Sequence, residues 1–311
     1  MIGLPALYTL AGLLFAGWGL MVVFDRSHPG RSGSTLFWGL IALSFLAGDL
    51  LGDVANGVLV VALVVLAAMG FPKRGLAGEV PLAERRASAA RLGNRLIGAA
   101  LIVPATALIG TLLLPQLAFV DPKQVTLLSL GLGAVIATVV LLRWLRLAPV
   151  HALGEGKRLV DGIGWALLLP QLLASLGAVF ALAGIGEIIG DGVAGAIPQG
   201  ARLPAVLAFT LGMAGFTIIM GNAFAAFPVM MAAVGLPILI LGLGASPVVV
   251  GAVGMLSGFC GTLLSPMAAN FNIVPAVLLD LDRSAVIRAQ MLTALPLFVF
   301  NTAIIWGFGF P

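Results

Sequence analysis

The chain has 311 residues, of which 61% are hydrophobic and 9% charged, and its formal net charge is +4. A soluble domain carries about 25% charged residues, so this composition excludes one. The positive surplus sits in short stretches between apolar runs and gives no reason to expect nucleic acid, and a lone cysteine, Cys260, excludes an intrachain disulfide or a Cys-x-x-Cys metal site.

In chain order, residues 4–24 form a first apolar span. No basic residue precedes it and no small-residue cleavage site follows, so it is expected to be retained. Turn-forming residues 25–34, with His28, lead to a short second span at 35–51, ending near Asp49 and Asp53. The third span is 55–71. A polar loop at 72–95 follows, then a fourth span at 96–119 kinked at Pro104, and a fifth at 125–145. A second polar loop, 146–161, contains His151, and both histidines read as exposed. A sixth span at 162–185 contains Pro170, and the Gly-rich stretch 184–202 carries Glu187 and Asp191. These acids, with Asp49 and Asp53, read as solvated span ends. Residues 1–161 are expected to form a five-span scaffold and 162–311 a C-terminal transport unit. The fold class is an all-α polytopic membrane protein with about ten hydrophobic helices.

Lys and Arg mark the inner side of a membrane protein. With an external N-terminus, Arg26, Arg31, Lys73, Arg74, Arg85, Arg86, Arg91, Arg95, Arg143, Arg146, Lys157, Arg158, Arg283 and Arg288 fall inside. Only Lys123 and Arg202 of the sixteen basic residues remain outside. Both termini are therefore expected to be external.

The last third breaks the rules of ordinary spans. Residues 203–243 read as two full spans or as a re-entrant hairpin with its tip at Gly221-Asn222 near mid-membrane; the hairpin is preferred. Residues 247–279 are too long for one crossing, which needs about 20, and read as a helix broken near 261–272. Unpaired backbone survives in a bilayer only where protein or water satisfies it, so interrupted segments point to a transport site. Asn222, Ser265 (followed by Pro266) and Asn272 are expected to cap helix starts. A helix N-terminus offers free N–H groups and about half a positive charge, enough to hold a carboxylate without Arg or Lys. The expected substrate residues are Gly221, Asn222, Thr262, Ser265, Asn270 and Asn272. Carbonyls freed at Gly221 and Gly261, with Asn270, are candidates for a coupling Na⁺; H⁺ is the alternative. The methionines 220, 230, 231, 255 and 267 read as packing. No cofactor is expected. No His-Glu-x-x-His motif occurs and neither histidine lies in a span, so an enzyme is disfavoured. A structural membrane subunit without a site of its own is the better rival.

At these residues the chain resembles a bacterial family first catalogued as a domain of unknown function and since described as one membrane subunit of a two-component 5-oxoproline transporter. The similarity runs over nearly the whole chain. It includes Phe24-Asp-Arg-Ser-His-Pro, Phe37-Trp-Gly-Leu, Gly156-Lys-Arg-Leu and Gly164-Trp-Ala-Leu-Leu-Leu-Pro-Gln171. The most specific parts are Ile219-Met-Gly-Asn-Ala-Phe-Ala-Ala-Phe-Pro-Val-Met230 and Pro266-Met-Ala-Ala-Asn-Phe-Asn-Ile-Val-Pro-Ala276. Leu264-Ser265 departs from an expected Met-Thr but keeps the hydroxyl. The resemblance implies a bacterial cytoplasmic-membrane location, a small carboxylate substrate and a smaller membrane partner encoded nearby; a homo-oligomer stays open. More distantly, a hairpin followed by a broken helix looks like half of an ion-transporter-superfamily protein.

Overall fold

The computed structural model describes residues 3–75, 81–116, 120–195, 197–198 and 200–310. The end of the expected fourth span, 117–119, and part of the 72–95 loop, 76–80, lie outside the described residues. The protein is all-α, 85% helical with no strand among the described residues. Nine helical stretches there are long and apolar enough to cross a bilayer, which makes it a multi-pass membrane protein. The chain divides into two compact units, 1–164 and 165–311.

In the first unit, α1 (Leu4–Phe24) leads through a loop to α2 (Arg31–Ala68). α2 turns back on itself at Gly52, whose φ of +70° is open to glycine without strain. The Lys73 N–H donates to Ser34 Oγ at 3.0 Å, so the second arm ends beside the start of the first. Asn56 Nδ2 donates to Gly48 O at 2.8 Å across the turn. One 38-residue stretch is thus two antiparallel arms. α1 lies along the first arm, with Gly12 against Leu46 and Gly19 against Trp38.

α3 (Leu82–Leu92) is a short helix inside the expected 72–95 loop. α4 (Arg95–Leu113) and α5 (Val125–Leu145) pair antiparallel through Gly110 on Ser129 and Gly133 on the Val103 backbone. Lipid gives no hydrophobic drive for helices to associate, so close backbone approach at small residues supplies it through packing. α6 (Pro149–Ile163) is a second helix where a loop was expected. Its Gly156 seats on the Trp18 ring, and Trp18 Nε1 donates to Leu153 O at 3.1 Å.

The second unit opens with a correction. The expected span 162–185 is not one helix: Gly164 takes φ +62°, residues Gly164–Leu168 form a 3-10 turn, and α7 (Leu169–Leu182) has 14 residues. After Gly184, also at positive φ, α8 (Ile185–Ala194) fills much of the expected surface stretch. α9 (Arg202–Met220) and α10 (Ala223–Met230, continuing as a π-helix over Met231–Gly242) form a helical hairpin. α7 and α8 run parallel to the second arm. Gly177 sits on the Ala225 backbone and Gly190 on Ala233 O.

α11 (Pro247–Leu264) is parallel to α9, with Gly254 under Phe209, Gly258 under Met213 and Gly261 against the Ala214 backbone. A π turn (Ala269–Ile273) leads into α12 (Val274–Leu278), and α13 (Arg283–Phe308) returns antiparallel. Thr302 Oγ1 donates to Thr210 Oγ1 at 3.2 Å, and Ser246 N to Gly309 O at 2.7 Å. The core of this unit is built on Phe209, Met213, Met230, Val234 and Ile305.

Candidate functional site

α9 stops at Met220 because Gly221 adopts the left-handed conformation, φ +71°, which glycine accepts freely at a helix C-terminus. The Gly221 N–H donates to Thr217 O at 2.7 Å. Asn222 is extended, and its Oδ1 accepts from Phe224 N at 2.9 Å, capping α10 as its sequence position foretold. The other end of the amide, Nδ2, donates to Pro170 O at 3.3 Å and ties the tip to the start of α7.

The second break is organised differently from the expectation. Ser265 caps the C-terminus of α11 and does not start a new helix: it precedes Pro266, which steers it to extended backbone. Its hydroxyl donates to Ile218 O at 2.6 Å and accepts from Met267 N at 3.2 Å, bonding the end of α11 to the last turn of α9. The chain resumes helix at Ala269, so Asn272 lies inside the π turn and caps nothing at its N-terminus. α11 runs on past Gly261 to Leu264, and a Cβ on Gly261 would collide with Ala214 O, so this glycine is a crossing point of α9 and α11.

The two breaks meet. A Cβ on Gly221 would stand 2.7 Å from the Met267 carbonyl carbon. Beside this contact lies a cavity of about 220 Å³. On its walls are Pro170 and Gln171 of α7, Gly221, Asn222 and Phe224 at the hairpin tip, Phe259 and Thr262 of α11, and Asn270 and Phe271 of the π turn. Among the predicted residues the structure therefore brings Gly221, Asn222, Thr262 and Asn270 to one cavity. Ser265 and Asn272 lie behind it, fully buried. The Thr262 hydroxyl donates to Gly258 O at 3.2 Å.

Among the described residues no charged side chain lines the cavity. Two helix starts, at Ala223 and Ala269, supply first-turn N–H groups that have no partner within their own helix. The cavity is not halfway along the bundle. Gln290 Nε2 donates to Phe271 O at 3.1 Å, and Gln290 lies 19 residues before Gly309. That is about 28 Å along α13. The hairpin arms, Arg202–Met220 and Ala223–Gly242, are 19 and 20 residues long, long enough for each to cross a bilayer.

The family described as protein of unknown function (DUF979) matches residues 5–310. The chain belongs to it. No curated protein and no solved structure matches the chain.

The DUF979 match covers both units, and two features of this DUF979 chain escaped the sequence reading. The first is the wall given by Pro170 and Gln171 and the aromatic trio Phe224, Phe259 and Phe271. Ring centroids in the trio lie 5.7 and 5.9 Å apart. Gly164 and the Pro170-Gln171 pair inside an apolar run were the available signal. The second is a polar knot in the first unit. Asp161 is 4% exposed; its Oδ1 accepts from Trp38 Nε1 at 3.1 Å and its Oδ2 from Lys157 Nζ at 3.0 Å. Lys157 Nζ also lies 3.8 Å from Asp25 Oδ2. The Ser27 hydroxyl, donating at 2.6 Å, holds the Asp25 carboxyl below its ordinary value against the opposing pull of desolvation. His28, expected to be exposed, is 5% exposed. Its Nδ1 accepts from Gly30 N, and Nε2 faces Asp161 Oδ2 at 3.9 Å. His151 is exposed, as expected, and Asp49, Asp53, Glu187 and Asp191 are exposed too.

Proposed function

We propose that this chain is a subunit of a secondary transporter for a small monocarboxylate in the bacterial cytoplasmic membrane, and that 5-oxoproline is its substrate. The observation that carries the reading is a small cavity with no charged wall, at which two helices begin. Helix starts hold an anion through N–H groups and the positive end of the dipole, the arrangement that discontinuous transporter helices use for carboxylates. The lactam ring of 5-oxoproline is flat and apolar on its faces. Phe224, Phe259 and Phe271 suit such a ring, and the Asn222 and Asn270 amides suit its amide edge. The family resemblance supports this substrate over other monocarboxylates and supports a smaller membrane subunit as partner. Among the described residues the chain supplies one such pair of adjoining breaks, and carriers of this kind usually use two sets.

The cavity lies toward the end of α13 that carries Arg283 and Arg288, which the charge distribution assigns to the cytoplasm. The cavity is then reached from inside. Cysteines placed at Ala87, exposed on α3, and at Gly154, where an added side chain meets open space, should resist an impermeant thiol reagent applied to intact cells. Native Cys260 is buried and gives little background. Ready labelling of both positions would reverse the orientation.

The function itself is tested by uptake of labelled 5-oxoproline in cells expressing the chain with and without its neighbouring membrane protein. The two Asn amides face the neutral lactam edge, and losing one hydrogen bond between neutral groups costs about 0.5–1.5 kcal/mol, or roughly 2- to 13-fold in affinity. Asn222→Ala and Asn270→Ala should weaken uptake by that factor at matched membrane abundance, while His151→Ala leaves it unchanged. Normal uptake in both Asn variants would move the site elsewhere. No uptake under any pairing would favour a structural subunit.

A further inference from the structure

The polar knot of the first unit holds one group that its neighbours leave unserved. His28 Nδ1 accepts from Gly30 N at 3.3 Å, so the hydrogen of the neutral ring sits on Nε2. Nε2 is buried and has no hydrogen-bond partner; Asp161 Oδ2 stands 3.9 Å away, too far for a bond. The charges around the ring do not cancel. Asp25 lies on the ring's own turn, and α6 supplies Lys157 and Asp161. With the imidazole neutral, two carboxylates meet one ammonium. α2 adds only the Trp38 N–H, which Asp161 accepts. Farther along α6, Arg158 pairs with Glu155. Residues 73–75 close the knot: a Cβ on Gly75 would lie 3.2 Å from His28 Cδ2, 3.3 Å from Lys157 Nζ and 3.4 Å from Asp161 Oδ2. Arg26, Arg31, Lys73 and Arg74, the other charged groups of these elements, are exposed. A buried cluster one positive charge short of balance favours the uptake of a proton. Asp and His chains carry protons in this way in pumps and transporters.

We propose that the knot is a proton-binding site, in which His28 takes a proton from solvent at Nδ1, gives up the Gly30 N–H and closes on Asp161. Nδ1–H and Gly30 N–H are both donors and cannot face each other, so the Gly30 peptide turns away. The imidazolium Nε2–H gains Asp161 as a charge-assisted acceptor once the gap shortens by about 1 Å. Asp25, with its side chain 30% exposed, links the knot to solvent. Gly30 directly precedes α2, and a Cβ there would meet Lys73 Cδ at 2.8 Å and Phe71 Cε1 at 3.0 Å. Turning its peptide therefore loosens the seam between the start of α2 and the end of its second arm, which the Lys73–Ser34 bond holds. The charge distribution assigns this seam to the cytoplasm, so the site reads internal acidity. It belongs to the first unit alone and stands whether or not the second unit carries 5-oxoproline.

The test is NMR of the purified full-length chain labelled with ring-¹⁵N histidine, titrated from about pH 8 to about pH 5, the range in which histidine acts as a switch. The chain has two histidines, and exposed His151 serves as internal reference. His28 should begin as the Nε2–H tautomer and convert to imidazolium, and hydrogen exchange at the Gly30 amide should quicken in step. Asp161→Asn should weaken proton binding at His28 by roughly 10- to 1,000-fold, whereas Lys157→Met, which removes a like charge, should strengthen it. Asp25→Asn, at the solvent edge of the knot, should weaken it by less than Asp161→Asn; this variant decides the matter if neither buried variant folds. A His28 that stays neutral throughout in the wild type would overturn the site. So would identical His28 titrations in the wild type and the folded variants, or conversion to imidazolium with exchange at Gly30 unchanged.

Discussion

Asp161→Ala should be the most destabilising single change in the first unit, by about 3–5 kcal/mol. The carboxylate accepts from Trp38 and Lys157 and faces His28, and its removal leaves the Lys157 ammonium, 7% exposed, with the longer contact to Asp25 at 3.8 Å. A buried charge without its partner costs far more than the pair was worth. Native stability is commonly 5–15 kcal/mol, so the variant should show little folded protein on size-exclusion chromatography after mild heating in detergent. Asp161→Asn keeps an acceptor for Trp38 and should fall in between. The double variant Lys157→Met/Asp161→Leu removes both charges together and should recover much of the loss. An Asp161→Ala protein with a wild-type melting profile would mean that water reaches the knot.

What the sequence disclosed follows from what hydropathy measures. The transfer cost of a segment depends on its own residues, so the apolar helices and the doubled arms of α2, with Asp53 at the turn, were legible. The Gly221-Asn222 break was legible too, because a left-handed glycine followed by a capping amide is local chemistry. Burial of a loop is not local. His28 sits in a turn rich in polar residues, and only the packing of α6 and residue 75 around it excludes water. The lack of a side chain at Gly261 serves a helix crossing, which only the partner backbone at Ala214 reveals. Asn272 caps no helix start, because the helix restarts four residues earlier than the cap rule places it. The 3-10 turn after Gly164 left a weaker trace: one glycine and one proline in an apolar run, a pattern that kinked full-length spans share.

Gly221→Ala should abolish transport with a smaller loss of stability. The left-handed conformation costs a side-chain-bearing residue about 1–2 kcal/mol, within reach of the fold. The heavier consequence is steric. The new Cβ would meet the Met267 carbonyl carbon and oxygen at 2.7 Å, and both are backbone, so neither can swing aside. The hairpin tip and the second break must separate by several tenths of an ångström. They carry opposite walls of the cavity, and the Ser265–Ile218 bond clamps them together. Misplacing binding groups by about 1 Å costs on the order of 10²-fold in rate. Asn at this position isolates the cause, since asparagine tolerates positive φ yet still carries a Cβ. If the clash governs, Gly221→Asn should transport as poorly as Gly221→Ala while unfolding at a higher temperature. Gly215→Ala, in the same helix with open space at its Cβ, should leave uptake intact. Recovery of uptake in Gly221→Asn would show that backbone strain, not the contact with Met267, sets the geometry of the site.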